Sequence, residues 1–358
     1  MKRKIGKVEK INERTILFFK ISVSIFFFFL FLLIFLSCGG RSYFEKTVYV
    51  DGLKGYNFQL HIIDVGDGDC MLVKLPNHKT MIIDTAKADE SEKVLSYLTQ
   101  YFKKEKVSSI DYLVITHPDA DHYGGAKKII EKFDVKTLYR PKCYSQSEKD
   151  YLDYDAGYKV LSSKFYDDFI LAAYNNEVEI VFNEKGIVIN ENGVKIEFLS
   201  PKEESYSSTN DYSAVLMLTY QTKKFLLTGD ISSSVENVLI GDYGNYLKAD
   251  VLKLAHHGSK SSSSSDFLEK VNPQYAFVCI DKNNRYDCPD IDIKNKLTSL
   301  GANVLTTAKY NNFAFTVEND EIKVFYAQGP KIDLPLVFSA LFIITCIVWV
   351  IPIKIKDN

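Results

Sequence analysis

Thr116-His117-Pro118-Asp119-Ala120-Asp121-His122-Tyr123-Gly124-Gly125 is the stretch on which the reading of this chain turns. Four residues able to bind a metal, His117, Asp119, Asp121 and His122, fall within six positions. They follow directly on an apolar run, residues 111–116, that reads as a buried strand. Extended backbone sends alternate side chains to one side, which groups His117, Asp119 and Asp121, and a turn into the next helix redirects His122. Such a loop serves two ions at once, its first pair facing one and its last pair the other. Two ions about 3.5–4 Å apart need a compact loop of this kind and a carboxylate to bridge them. An acidic helix N-terminus, stabilised by the helix dipole, would also place aspartates here, so the rest of the chain must decide.

Three further strand ends carry the same chemistry. Phe225-Leu226-Leu227-Thr228-Gly229-Asp230 finishes on a carboxylate suited to bridging. Leu252-Lys253-Leu254-Ala255-His256-His257-Gly258-Ser259 finishes on two histidines, and Met81-Ile82-Ile83-Asp84 on another carboxylate. Four such strand ends are not explained by a helix dipole. A set of His and Asp ligands with a bridging carboxylate suits two divalent ions, Zn²⁺ first, while its carboxylate content also admits Mn²⁺. The expected chemistry is hydrolysis, in which paired ions lower the pKa of a water and stabilise charge on the attacked centre.

Around these points, short β-rich runs interleave with helical ones. Strands are expected at 58–65, 70–75, 80–83, 178–182, 194–199, 214–220, 224–227 and 251–254, and near 303, 313 and 322. Residues 91–104 form an amphipathic helix with Val94, Leu95, Leu98 and Phe102 on one side, and 125–133 and 291–300 read as helices too. Residues 144–176, rich in Tyr, Asp and Ser, read as a helical insertion. Chemistry at strand ends in an interleaved pattern predicts one layered α/β domain.

The order His-x-Asp-x-Asp-His, Thr-Gly-Asp, His-His-Gly-Ser resembles the metallo-beta-lactamase superfamily, and more narrowly the metallo-beta-lactamase-like domain of ComEC-type competence proteins. The narrower resemblance rests on Ile63-Asp64-Val65-Gly66-Asp67-Gly68-Asp69, Leu199-Ser200-Pro201, Asn210-Asp211-Tyr212-Ser213 and Asn284-Arg285-Tyr286, and it covers residues 58–325. It implies an αββα sandwich with metals at one edge. It implies that His117, Asp119 and Asp230 hold one ion. Asp121, His122, Asp230 and one or both of His256 and His257 would hold the other, with Asp84 orienting a ligand from behind. The superfamily's second histidine is Asp119 here, a replacement that ComEC-like members share. After Asn-Arg-Tyr the family has Gly-His-Pro, and this chain has Asp287-Cys288-Pro289. A thiol can replace a ligand there but not a proton shuttle.

Within that site Asp121 is the expected catalytic residue, binding metal while orienting the nucleophile. Asn210, Ser259 and Lys260 are candidates to contact phosphate oxygens, a task that suits amides, hydroxyls and cations. The expected substrate is a phosphodiester, DNA at the cell surface. The alternatives are another ester, an amide or a cyclic phosphodiester, or a non-catalytic part of an envelope or DNA-uptake complex.

Both ends of the chain are apolar. Residues 21–40 carry no charge, and twenty helical residues span roughly 30 Å, a bilayer core. Residues 334–353 are also uncharged, with Trp349 near the end and Lys354 and Lys356 beyond it. Seven basic residues against two acidic ones precede Ile21, so both termini are expected in the cytoplasm and the middle outside a bacterial cell membrane. The domains expected are a basic N-terminus with a signal anchor (1–46), a hydrolase domain (47–331), and a C-terminal transmembrane helix with a short basic tail (332–358). Leu36-Ser37-Cys38-Gly39 also looks like a lipoprotein site acylated at Cys38, but an uncleaved anchor is preferred because Phe35 fits such a site poorly. No multi-span transport channel is read in this sequence.

Setting aside the seven basic and two acidic residues before Ile21, and two basic and one acidic after Ile353, leaves 35 basic against 43 acidic, about −8. That balance is unlike a general nucleic-acid binder. Cys70, Cys143, Cys279 and Cys288 are candidates for disulfides outside the cell, but their spacing gives no framework.

Overall fold

Short strands run through the chain in the computed structural model: β1 (Gln59–Ile62), β2 (Met71–Lys74), β3 (Thr80–Ile83), β4 (Ser109–Val114), β5 (Asp134–Arg140), β6 (Cys143–Ser145), β7 (Lys159–Leu161) and β8 (Glu179–Phe182). There follow β9 (Val188–Glu191), β10 (Val194–Ser200), β11 (Val215–Tyr220), β12 (Lys223–Leu227), β13 (Val251–Lys253), β14 (Tyr275–Val278), β15 (Asn303–Thr306), β16 (Phe313–Glu318) and β17 (Glu321–Tyr326). They build an eight-stranded sheet in the order β17-β16-β1-β2-β3-β4-β5-β8 and a seven-stranded sheet in the order β15-β14-β13-β12-β11-β10-β9. β6 and β7 pair separately.

Each sheet is antiparallel on one side and parallel on the other. β17 to β3 and β9 to β12 pair antiparallel. β3 to β8 and β12 to β15 pair parallel. Connections explain the split, because parallel neighbours need a crossover, usually helical. Helices Ser91–Glu105 and Ala126–Lys132 lead into β4 and β5, and Ser233–Tyr243, Ser265–Val271 and Ile291–Ser299 into β13, β14 and β15.

Period-two alternation then sets the layers. Met71, Val73, Met81 and Ile83 of the first sheet meet Phe198, Leu216, Leu218, Phe225 and Leu227 of the second in one core. The intervening Leu72 and Ile82 turn to the other face, against Val94, Leu98, Ile129 and Ile170. On the second sheet Met217, Leu226 and Leu252 pack against Val235, Leu239, Phe267 and Leu297 of its helices. The result is the αββα sandwich that the sequence led us to expect.

Two differences from the sequence reading have physical causes. Residues 144–176 are not an insertion. Their second half is the helix Lys164–Asn175, capped by the Ser163 side chain, which accepts a hydrogen bond from Tyr166 N–H. It buries Tyr166, Phe169, Ile170 and Ala173 and carries the chain back to β8, so it belongs to the fold. Earlier in the segment the helix Gln146–Tyr151 is tied down by a fully buried ion pair between Arg140 and Glu148, with Ser145 N–H donating to Glu148 at 2.8 Å. Second, Cys70, Cys143 and Cys279 carry free thiols rather than disulfides, so Cys288 is paired with none of them.

The structure describes residues 49–327 except 152–157, 204 and 284–286, together with scattered helical residues between Phe18 and Phe29. Among the described residues no helix is long and apolar enough to cross a membrane. The expected spans at 21–40 and 334–353 lie outside the described residues, apart from a few positions of the first, as do Cys38 and Asn284-Arg285-Tyr286. Thr47–Gln328 forms one compact unit.

Candidate metal centre

Ligands arrive from the ends of parallel strands. β3 runs into Asp84 and β4 into Thr116-His117, while β12 leads to Asp230 and β13 to the His256-His257 turn. Ligand atoms of His117, His122 and Asp230 lie within 4.8 Å of one another, as do those of Asp121, His122 and His257. Asp230 is central, with Oδ2 3.4 Å from His122 Nε2 and 3.6 Å from His257 Nε2. Asp121 Oδ2 stands 4.0 Å from His122 Nε2 and 3.5 Å from His257 Nε2. On the outer side, His117 Nε2 is 3.8 Å from Asp119 Oδ2.

The three histidines are held from behind. His122 Nδ1 donates to Asp84 Oδ2 at 2.8 Å, and His257 Nδ1 donates to the Cys279 carbonyl at 2.9 Å. His117 Nδ1 lies 3.1 Å from Thr116 Oγ1, which donates to Asp84 Oδ2 at 2.8 Å. Thr116 N–H donates to Asp84 Oδ1, also at 2.8 Å. One buried carboxylate, that of Asp84, therefore stands behind both rings. The outward nitrogens, Nε2 of His117, His122 and His257, are buried without any hydrogen-bond partner. A buried polar atom left unsatisfied costs about 1–3 kcal/mol. Three such atoms aimed at shared carboxylates, each ring fixed through its far nitrogen, are what metal ligands require. The residues present fit two divalent ions.

Charge within the cluster is strongly coupled to burial. Burial pushes His117 down to about 4, with His122 adding to the effect. Burial acts the same way on His122, but the Asp230 and Asp84 carboxylates outweigh it and hold the ring well above its ordinary value. Asp230 would be raised by burial, yet His122, His257 and Lys253 hold it well below the carboxylate range.

The turn after β13 decides between the adjacent histidines. His256 and His257 both have positive φ, 49° and 52°, so their rings diverge. His257 enters the cluster. His256 leaves it, its Nδ1 3.3 Å from Ser261 Oγ and 3.5 Å from Asn210 Nδ2. Beside Asp121 and His257 opens a cavity of about 440 Å³ that Ser259, Lys260, Lys87 and Cys288 also line. Asn210 stands beside His256 rather than in that lining.

Two residues escaped the sequence reading. Asp69 and Lys253 are fully buried beneath the cluster, with Lys253 Nζ 2.7 Å from Asp69 Oδ2 and 3.4 Å from Asp230 Oδ1. The available signal was a lone cation inside the apolar run of β13, and an aspartate closing the Gly66-Asp67-Gly68-Asp69 motif. The glycines here are steric requirements. A Cβ on Gly68 (φ +152°) would lie 2.7 Å from the Asp121 carbonyl, and one on Gly229 (φ +53°) 2.7 Å from Ser213 Oγ.

Comparison with known proteins agrees with this geometry. Residues 63–281 match the family described as the metallo-beta-lactamase superfamily. The ComE operon protein 3 of Bacillus subtilis (strain 168) is 28% identical over 280 residues, covering 73% of this chain and 33% of that protein. Competence protein ComA of Neisseria gonorrhoeae is 29% identical over 244 residues, covering 68% of this chain and 30% of that protein. The matched part of this chain thus spans about a third of the length of these curated relatives. Among solved structures, Igni18, a metallo hydrolase from Ignicoccus hospitalis KIN4/I, is 16% identical with a TM-score of 0.40, covering 75% of this chain and 98% of that one. With a family match over more than half its length and His and Asp groups placed to bind metal, this chain is a metallohydrolase and belongs to the metallo-beta-lactamase superfamily.

Proposed function

We propose that this protein is a membrane-anchored, metal-dependent phosphodiesterase that cleaves DNA outside the cytoplasm, a ComEC-like nuclease. The observation that carries the reading is the set of three unsatisfied histidine nitrogens around Asp230 and Asp121, with Asp121 and His257 lining a cavity together with Lys260 and Ser259. The competence proteins among its relatives favour DNA as substrate and DNA-uptake or envelope proteins as partners. The two apolar end segments, with their basic flanks, favour a topology with both termini inside and the catalytic unit outside. An anchor acylated at Cys38 would tether the same unit.

His117, Asp119 and Asp230 would hold one ion, and Asp121, His122, Asp230 and His257 the other. Bound Zn²⁺ or Mn²⁺ supplies a water of lowered pKa and positive charge for the attacked phosphate. The chain's own residues do the rest. Asp121, partly open to the cavity, orients the attacking water through its carboxylate. Lys260 and Ser259 bind the phosphate oxygens, a cation and a hydroxyl for the growing charge. Cys288 lines the cavity where the family carries an imidazole, and burial raises its thiol. It is therefore a poor proton donor to a leaving oxygen, and that proton comes from solvent.

One observation favours a second reading, a small cyclic phosphodiester or another ester. The acidic excess of the chain between its two ends, about −8, repels a long polyanion. The deciding experiment uses the full chain in detergent, with bound metal counted and single-stranded DNA, duplex DNA, cyclic dinucleotides and simple esters offered in turn. Metal-dependent DNA cleavage that disappears in Asp121→Ala and Asp230→Ala supports the nuclease. Turnover of the small substrates alone overturns DNA as substrate, and a chain that binds no metal overturns the enzyme. Protease accessibility of the middle unit on intact cells tests the topology.

A further inference from the structure

Four acceptors converge on one ammonium beneath the site. Lys253 Nζ donates to the carbonyls of Gly229 at 2.8 Å and Leu254 at 3.2 Å, and it faces the Asp69 and Asp230 carboxylates. A buried ion pair is weak evidence for stability, since an apolar pair of similar volume is often neutral or better. β13 is buried along its whole length, so an apolar pair in place of Lys253 and Asp69 together would serve the fold about as well. The lysine needs another explanation, and Asp230 provides it.

Asp230 is held at two places. Its N–H donates to Ser213 Oγ at 3.0 Å, which fixes the backbone. Its carboxylate is divided, with Oδ1 toward Lys253 and Oδ2 toward His122 and His257. We propose that Lys253 is a positioning residue for the two-ion site, held by the Gly229 and Leu254 carbonyls and itself holding Oδ1 of Asp230 so that Oδ2 is left to face the ligand cluster, with Asp69 balancing its charge. Released from Lys253, the Asp230 carboxylate would lose its anchor at Oδ1 and be free to rotate away from His257 or His122, which would weaken the hold on one of the two ions. The inference rests on the two-ion reading above.

The variant Lys253→Met/Asp69→Asn removes one charge of each sign. The site keeps its net charge, and any change in metal binding reports position. Wild type and variant, as full chains in detergent, are titrated with Mn²⁺ and followed by electron paramagnetic resonance and bound metal per chain. Wild type is expected to take two ions with a spin-coupled spectrum. The variant is expected to keep the first, bind the second about 10–100-fold more weakly, and show an uncoupled signal. Two ions at wild-type affinity with a coupled spectrum in the variant overturn the role of Lys253 and leave the two-ion site standing. Fewer than two ions in wild type overturn the two-ion reading itself. Asp69→Asn alone keeps the ammonium at Asp230 and is expected to retain both ions. It also serves if the double variant does not fold, because loss of its second ion would overturn the assignment.

Discussion

Asp84 and His122 are bound to each other inside the protein, carboxylate Oδ2 to ring Nδ1 at 2.8 Å, with neither side chain exposed to solvent. The same oxygen accepts the Thr116 hydroxyl, so this buried residue sets the direction of two of the candidate ligands.

Asp84→Asn keeps the shape and loses the charge. It is expected to weaken metal binding about 10–100-fold, and activity should return as metal is added in excess. Competition with a fluorescent chelator gives the affinity directly. An unchanged affinity would show that the ring directions are set by packing alone.

The two neighbouring histidines should behave differently. His257→Ala is expected to lose one bound ion and at least about 100-fold in kcat, the scale on which losing a positioned charge-stabilising group is felt. His256→Ala, outside the cluster, should keep both ions and lose far less. Metal counted per chain separates the pair, and equal loss in both variants would contradict the turn geometry.

Cys288→His restores an imidazole at the cavity wall. General acid catalysis commonly contributes 10²–10⁴-fold, and a misfit side chain recovers a part of that. About a tenfold rise in kcat near neutral pH is expected, with a new pH dependence on the acidic side. A flat profile in the variant would show that the leaving group needs no protein acid.

His61 sets an acid limit on stability that is separate from the site. Burial pushes it down to about 3, with Lys74 adding to the effect, and its nitrogens bond the Tyr97 hydroxyl at 2.8 Å and Gln59 Oε1 at 2.9 Å. The unfolded chain takes up the proton near pH 6.5 and the folded one does not, so stability falls as pH drops from about 6.5 toward 3. Its contribution is full above that window. At pH 4.5 the loss from this group is on the order of 2–3 kcal/mol. Denaturant unfolding at pH 7.5 and 4.5, followed by circular dichroism, should show a smaller drop in His61→Gln than in wild type. Equal drops would assign the acid sensitivity elsewhere.

Much of the site was legible because each part is a local pattern. Asp84, His117 and Asp230 close apolar runs, and a strand's period of two shows which residues point inward whatever lies opposite. β5 and β14 were harder to read. Asp134–Arg140 mixes charges with apolar residues because its exposed and buried positions alternate imperfectly, and Tyr275–Val278 is only four residues long.

The sequence by itself determined the ligand chemistry, the strand ends that carry it, the layered class of the fold and two apolar ends. Tertiary structure alone decided that His257 and not His256 faces Asp230, that the helix Lys164–Asn175 is a crossover, and that Lys253 meets Asp69. The reason is the range of the interactions. Residue type and spacing act along the chain, whereas a ring's direction depends on the sign of φ in one turn. Likewise, a buried charge finds its partner only when strands remote in sequence come together.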